Sequence, residues 1–522
     1  MSWRVAFLVI FAALASPAHA KWYEASSDRF VIYADDSEKD IRTFAENLEK
    51  YHAAMAYVTG RQLEKPSPSN RVVIFVVGSQ RDIRKLSGTD NRTVAGFYVP
   101  RAGASRAFVQ DIRNKNGFPD FSTVILLHEY AHHFLISSSR FAMPRWMSEG
   151  AAEFFASASF NQDGSVMIGR PAIHRGSELA FADSVSVHEL LDPDLYSAKR
   201  GKKYDAFYGM SWALYHYLMF EESRKGQLTQ YWREIVQGKS SIDAAKETFG
   251  DIDQLDKEVS AYLRQRKMYY QPVSAENISY GPITLRELPE GEAKMMDIRV
   301  VSQRGVTREQ ALELVEDARK IAKKYPDDAG VQTALAEAEY DAGFDDAAIA
   351  AADRAIALDP SRPNAYVQKG FALFRKAEDA EDGDTAYKAA MAPFSALNKI
   401  ENDHPLPLIY YYRSYVERGA EPSENARHAL ERASELSPFD QPLAMSVALM
   451  QAREGKVGLA RLSLKPLAAN PHGGGLADTA QRYLAQLEDA EEGKPWRPSV
   501  TLGNLVEVIA AGSADDDDEE QE

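Results

Sequence analysis

Pro326, Pro360, Pro405, Pro438 and Pro471 are separated by 34, 45, 33 and 33 residues, and four of them close apolar helical segments, IAKKYP, AIALDP, ASELSP and PLAANP. Proline lacks the amide hydrogen and its ring crowds the preceding turn, so it ends helices rather than continuing them. A recurrence of this length marks a solenoid, in which each unit buries its apolar face against its neighbours. In the best unit, Ala329 to Pro360, Leu335, Ala336, Gly343, Ala348, Ala355 and Pro360 fall on the small and apolar positions that let two antiparallel helices approach closely. The longer spacing before Pro405 predicts an insertion at Ala377 to Asp384 (AEDAEDGD), on a loop.

This pattern resembles the tetratricopeptide repeat over residues 306–475. The resemblance implies an all-α solenoid with a concave surface that receives a protein partner or substrate. A chain of 522 residues exceeds one compact core, and a prior of roughly 100 to 200 residues per domain calls for further units. The first twenty residues have the form of a secretory signal: Arg4, the apolar run Val5 to Ala15, then Ala18-His19-Ala20 for cleavage. The mature protein is then exported, periplasmic or secreted, with no later segment resembling a spanning helix. Cysteine is absent, which excludes a disulfide framework, a thiol nucleophile and cysteine-ligated zinc. The net charge of -16 argues against nucleic acid, whose phosphates need concentrated Lys and Arg. Part of that charge is the terminal ADDDDEEQE, which reads as a disordered tail.

The remaining pattern divides the chain into an α/β subdomain at 21–118, a helical subdomain at 119–285, a linker at 286–305, repeats at 306–480 and an acidic tail at 481–522. Within the first, RFVIY at Arg29 to Tyr33 and RVVIFVV at Arg71 to Val77 read as strands flanking a helix near 39–57. Ala95 to Val99 and Ser105 to Gln110 flank a Pro- and Gly-containing turn and read as a hairpin. Helices are predicted near 122–136, 148–158, 205–220, 228–237 and 252–265.

The chemistry lies in VILLHEYAH. His128 and His132 are one helical turn apart, so both imidazoles leave one face and can meet one Zn²⁺. Glu129 sits about 100° round the helix, placed to reach a water as general base without ligating. A string of this kind arises by chance in roughly one or two such chains per hundred, so its continuation matters. A metzincin would place glycine at 135 and histidine at 138; here stand Leu135 and Ser138. Sixteen residues beyond His132 a second helix is predicted to begin at a Ser148 N-cap, in WMSEGAAEFF. Glu149 is the natural third ligand. Glu153, one turn on, can accept the free N–H of a ligating histidine.

HEYAH followed by PRWMSEGAAEFF resembles the gluzincin clan of zinc metallopeptidases, whose aminopeptidase members carry a Trp-x-x-Glu-Gly-x-Ala block after HExxH. The resemblance implies an α+β zincin-like domain, one zinc per chain on His128, His132 and Glu149, and Glu129 as catalytic base. It also implies an edge strand above the zinc helix to receive extended substrate, with Ser105 to Gln110 the candidate. Tyr208, in a segment similar to the Tyr-x-x-Gly of gluzincin aminopeptidases, is the expected oxyanion donor, with Tyr204 in reserve. No GAMEN-like amine-binding segment precedes HExxH, which favours endopeptidase action. The implied activity is hydrolysis of peptide bonds, with the repeats recruiting substrate. The alternative is a non-catalytic repeat scaffold carrying a vestigial or structural zinc site. His133 and His216 read as packing residues, and the aromatic run Phe207 to Phe220 as helix core. Asn91 and Asn277 begin short glycosylation patterns.

Overall fold

The computed structural model describes residues 21–88, 94–112, 118–199, 204–470 and 472–498. The signal-like run 1–20, the pattern beginning at Asn91, Pro471 and the acidic stretch 514–522 lie outside them. No helix among the described residues is long and apolar enough to cross a membrane.

A six-stranded sheet anchors the first half. Its strands are β1 (Tyr23–Ser26), β2 (Phe30–Ala34), β3 (Val72–Val76), β4 (Gly96–Val99), β5 (Arg106–Val109) and, after a three-stranded sheet formed by β6 (Ser159–Phe160), β7 (Val166–Ile168) and β8 (Gln271–Val273), β9 (Thr284–Glu287). The order is β4-β5-β3-β2-β1-β9, with β2, β3 and β5 parallel and β1, β4 and β9 antiparallel to their neighbours. The central runs are apolar at every position because both faces are covered. Phe30, Ile32 and Ala34 enter one core, and Val31 and Tyr33, one residue out of phase, enter another.

The first face is packed by α1 (Glu38–Thr59) and α3 (Phe121–Ser137), while α2 (Gln80–Ser87) joins β3 to β4. Ser37 caps α1 by accepting from Asp40 N, and Gly60 ends it at φ 65, a left-handed turn that glycine adopts without cost. Behind α3 lie α4 (Arg145–Ala156), the short α5 (Gly176–Phe181), α6 (Val187–Leu191) and α7 (Pro193–Lys199), then α8 (Phe207–Phe220), α9 (Gln227–Val236), α10 (Ser241–Phe249) and α11 (Ile252–Tyr262). The second helix begins earlier than predicted, with Pro144 and not Ser148 at its N-cap.

Residues 286–305 are no linker. The end of β9 pairs with β1, and α12 (Glu290–Arg304) follows at once. Met296 and Val300 of α12 cover the second face of the sheet, while Met295 and Ile298 enter the first core of the helical array. One helix thus joins the halves, its two apolar stripes facing different partners. The array then runs through α13 (Arg308–Lys324), α14 (Ala329–Asp341), α15 (Asp345–Leu358), α16 (Pro363–Glu378), α17 (Gly383–Ile400), α18 (Pro405–Glu417), α19 (Glu424–Leu436), α20 (Gln441–Arg453), α21 (Val457–Ala468) and α22 (Gly474–Gln486). The extra residues before Pro405 lengthen α16 and α17 as well as the turn between them, and Pro405 opens α18 at a position where its missing N–H costs nothing. Residues 481–498, assigned to the tail, are ordered: α22 continues to Gln486, Trp496 N donates to Ala452 O, and the Trp496 ring meets Tyr483.

The array folds back on the first half through the loops between its helix pairs. Glu401 accepts from Ser69 N at 2.9 Å and Ser69 Oγ at 2.8 Å. One period later, Asn70 Nδ2 donates to Leu436 O, Ala102 N donates to Asp440 Oδ2 at 2.8 Å, and Phe439 stacks on His133 at 4.2 Å. One period further, the loop between α21 and α22 reaches Glu149. Pro405 and Pro438 therefore stand beside two of the docking loops.

Candidate metal centre

Asp120 caps α3 by accepting from Ser122 N and Thr123 N, and the helix is buried around most of its surface. His128 and His132 emerge one turn apart with their Nε2 atoms 3.1 Å from each other. Gly150 brings α4 and α8 together: a Cβ there would lie 2.4 Å from Ser211 O and 2.9 Å from Tyr215 Cβ. That contact, with Trp146 Nε1 donating to Tyr231 OH at 3.0 Å, fixes α4 so that Glu149 faces the histidines. Glu149 is fully buried, and its Oε2 lies 3.3 Å from both Nε2 atoms.

The donor set could hold a metal ion, and its spacing can be set against that of zinc. A tetrahedral ion bound at about 2.0 to 2.1 Å separates its ligand atoms by roughly 3.3 Å, close to the three distances found. The charge also calls for a cation. Among the described residues the ion-pair partners of Glu149 are three imidazoles, those of His128, His132 and His472. Burial works to raise the Glu149 carboxyl, but the facing His132 and His472 hold it well below the usual carboxylate range. Burial likewise opposes charge on His128, yet Glu153 and Glu149 raise it well above an ordinary imidazole.

Behind the ligands each outer ring nitrogen has a neighbour. Glu153, fully buried, places Oε1 3.1 Å from His128 Nδ1. The same carboxylate accepts from Arg175 Nη2 at 2.5 Å and Nε at 2.9 Å, and meets His174 Nε2 at 2.5 Å. Burial pushes Glu153 up, and Arg175 and His128 hold it well below the carboxylate range. Ser148 Oγ lies 3.3 Å from His132 Nδ1, so this residue serves the site instead of capping the helix. Such contacts fix imidazole tautomer and orientation.

Glu129 is half-buried on the neighbouring face of α3. Tyr208 begins the first turn of α8 with its ring 6.4 Å from that of His128 and under the Arg175 guanidinium at 4.7 Å. Tyr204 is exposed. The expected edge strand is corrected: β5 lies second in the sheet, paired to β3 and β4, because the hairpin folds β4 outward. The edge is β4, whose Tyr98 OH lies 2.8 Å from His133 Nδ1. His216 is a satisfied core residue, with Nδ1 2.8 Å from Tyr262 OH and Nε2 2.8 Å from Gly169 O.

Three residues at the site, His174, Arg175 and His472, carry no local signal in the sequence. His174 and Arg175 sit in a short turn with no periodicity to read. His472 precedes a run of three glycines in a repeat loop, and its partner lies more than three hundred residues away.

A family described as "Protein of unknown function (DUF1570)" matches residues 120–240, the stretch from the Asp120 cap of α3 through α9. No curated protein matches. Among solved structures, TTC0263, a thermophilic TPR protein in Thermus thermophilus, is 17% identical over 36% of this chain and 98% of its own, with a TM-score of 0.31. MamA 41-end from Desulfovibrio magneticus RS-1 is 17% identical over 38% of this chain and 98% of its own, with a TM-score of 0.26. Yeast Tom70 is 11% identical over 87% of this chain and 76% of its own, with a TM-score of 0.27. At such scores these likenesses decide nothing.

Proposed function

We propose that the protein is an exported zinc-dependent peptidase whose helical array holds protein at the metal centre. The observation that carries this is the triangle of His128 Nε2, His132 Nε2 and Glu149 Oε2, with edges of 3.1, 3.3 and 3.3 Å. Zinc held there would polarise a peptide carbonyl and acidify a water beside it. Glu129 takes the proton of that water on its carboxylate and passes it to the leaving amine. Tyr208, steadied by Arg175, donates its hydroxyl to the oxygen on which negative charge develops. Glu153 keeps His128 oriented, and β4 offers a free edge along which an extended peptide can pair.

The test joins metal analysis of the purified protein with cleavage of a peptide library. One equivalent of zinc is expected, with cleavage abolished by chelation and restored by zinc. Glu129→Gln is expected to keep the metal and lose turnover, and Glu149→Ala to weaken the metal. Full activity in either variant would defeat the assignment.

One observation favours a second reading, a repeat scaffold in which the metal is structural. Four protein ligands make a closed site, and His472 brings a fourth donor. That reading expects bound zinc, no cleavage by wild type or any variant, and loosening of the array when zinc is withdrawn.

A further inference from the structure

The loop between α21 and α22 delivers an imidazole to a centre assembled from the opposite end of the chain. His472 Nε2 lies 3.0 Å from Glu149 Oε1, the carboxylate oxygen not facing the other two histidines. Its ring stands edge-on to that of His132 at 5.3 Å. One ligand atom from each of His128, His132, Glu149 and His472 can be chosen so that all lie within 4.8 Å of one another. Asn470 Oδ1 accepts from His472 N at 2.9 Å and so shapes the loop.

We propose that His472 is a fourth metal ligand supplied by the repeats, closing the position that hydrolytic water must enter, so that this conformation is the latent state of the peptidase. Three features support it. The loop comes in register with two others, at Glu401 and at Phe439–Asp440, that dock on the same half one and two periods earlier, so its position follows from the architecture. Those earlier loops are held by backbone and side-chain hydrogen bonds, whereas the last reaches the site through the imidazole itself. Beside it a crevice of about 430 Å³, lined by Phe141, Ile235, Leu462, Ala468 and Leu484, lies between α21–α22 and the first half. A ligand on the loop before the last described helix is removable: whatever displaces that loop from the first half opens the metal.

The proposal rests on the metal-centre reading above, and the experiment separates the two. Full-length protein is loaded with Co²⁺, and its visible spectrum is followed on adding acetohydroxamate, a small chelating probe that needs an open coordination position. Wild type is expected to be unresponsive. His472→Ala is expected to respond, to bind Zn²⁺ at least about 10-fold more weakly, given that loss of an outer partner alone costs that much, and to cleave peptide faster. X-ray absorption of zinc-loaded wild type, which needs no variant to fold, is expected to count three imidazoles. Two imidazoles, or equal probe response in wild type and variant, would overturn the latch while leaving the peptidase reading intact. Failure of wild type to bind metal at all would overturn both.

Discussion

The two halves hold themselves together by opposite means. Of the largest fully buried side chains, Trp146, Tyr51, Tyr231 and the phenylalanines 30, 44, 75, 108, 134, 154 and 155 all belong to the half with the candidate metal centre, and Phe394 alone to the array. The first part of the array packs instead on alanine, with Ala336, Ala348, Ala351, Ala352 and Ala355 fully buried in a single pair of helices, and its larger rings gather at Phe374, Tyr387 and Phe394. Aromatic cores interlock and resist displacement, whereas small residues let helices approach closely and adjust against nearest neighbours only. The half with the candidate metal centre also buries charge at that site: Glu149 and Glu153 are excluded from water and answered by histidine and arginine. A dry, charged site is thus met by a loop of the array that reaches into it.

The strongest way to break this contrast is to unbalance the buried charge. Glu153→Ala leaves His174 without this carboxylate and Arg175 with Glu178 alone, and removes the neighbour of His128 Nδ1. Expected are a metal affinity about 10- to 100-fold lower and a stability loss of about 3 kcal/mol in urea unfolding, the low end for a broken buried pair because Arg175 is partly exposed. Unchanged metal affinity would show that Glu153 only fills space. Next in size is acid. His216 is held neutral by burial, its pKa lowered to about 4, and His52 in the same half is lowered to about 3. The unfolded chain, with imidazole near 6.5, takes up these protons first. Stability from His216 is therefore complete above pH 6.5 and drains as pH falls toward 4, by about 2 kcal/mol at pH 5. His216→Gln, which keeps a donor and an acceptor, is expected to make the acid slope shallower by about one proton. Hydrogen exchange resolves it from the array, where His404 is the comparable group among the described residues. An identical slope in the variant would sink the assignment.

What the sequence makes legible follows from distance along the chain. His128, Glu129, His132, Glu149 and Glu153 lie on two helices joined by a short loop, and helical rise puts the residues of each helix on one face, while the packing of α4 on α8 brings the two faces together. The helix pairs are legible because proline recurs at their ends. Less visible are contacts across the fold. β9 and α12 read as linker because Pro282, Pro289 and Gly291 punctuate them, although pairing to β1 and two apolar stripes override that punctuation. Ser148 carries a capping residue's identity but sits inside the helix, where the neighbouring α3 gives its hydroxyl a different use. The direction in which the hairpin folds, which puts β4 at the edge in place of β5, depends on sheet order that no local pattern specifies. His472 is the extreme case. Its chemistry is identical to that of His132, yet nothing near it in sequence states its partner.

The smallest effect expected is also the one that joins the halves. Asp440 accepts from Leu443 N at 2.8 Å, capping α20, and with its other oxygen from Ala102 N at 2.8 Å, on the turn between β4 and β5. Burial raises its carboxyl, against these two backbone donors and Arg101, which lower it. Asp440→Ala removes a cap and orphans a half-buried N–H of the other half, a cost of about 1 to 2 kcal/mol. Because the array adjusts by neighbours, the loss is expected to stay local: faster amide exchange at Ala102 and Gly103, no change in the core strands. The docking edge is continuous, however, and loosening the loop at Asp440 lowers the restraint on the next, one period on, where His472 meets Glu149. A few-fold rise in probe access to the Co²⁺-loaded centre, smaller than in His472→Ala, is the expected signature. Access unchanged while Ala102 exchanges freely would show that the last helix pair is positioned by the metal site alone.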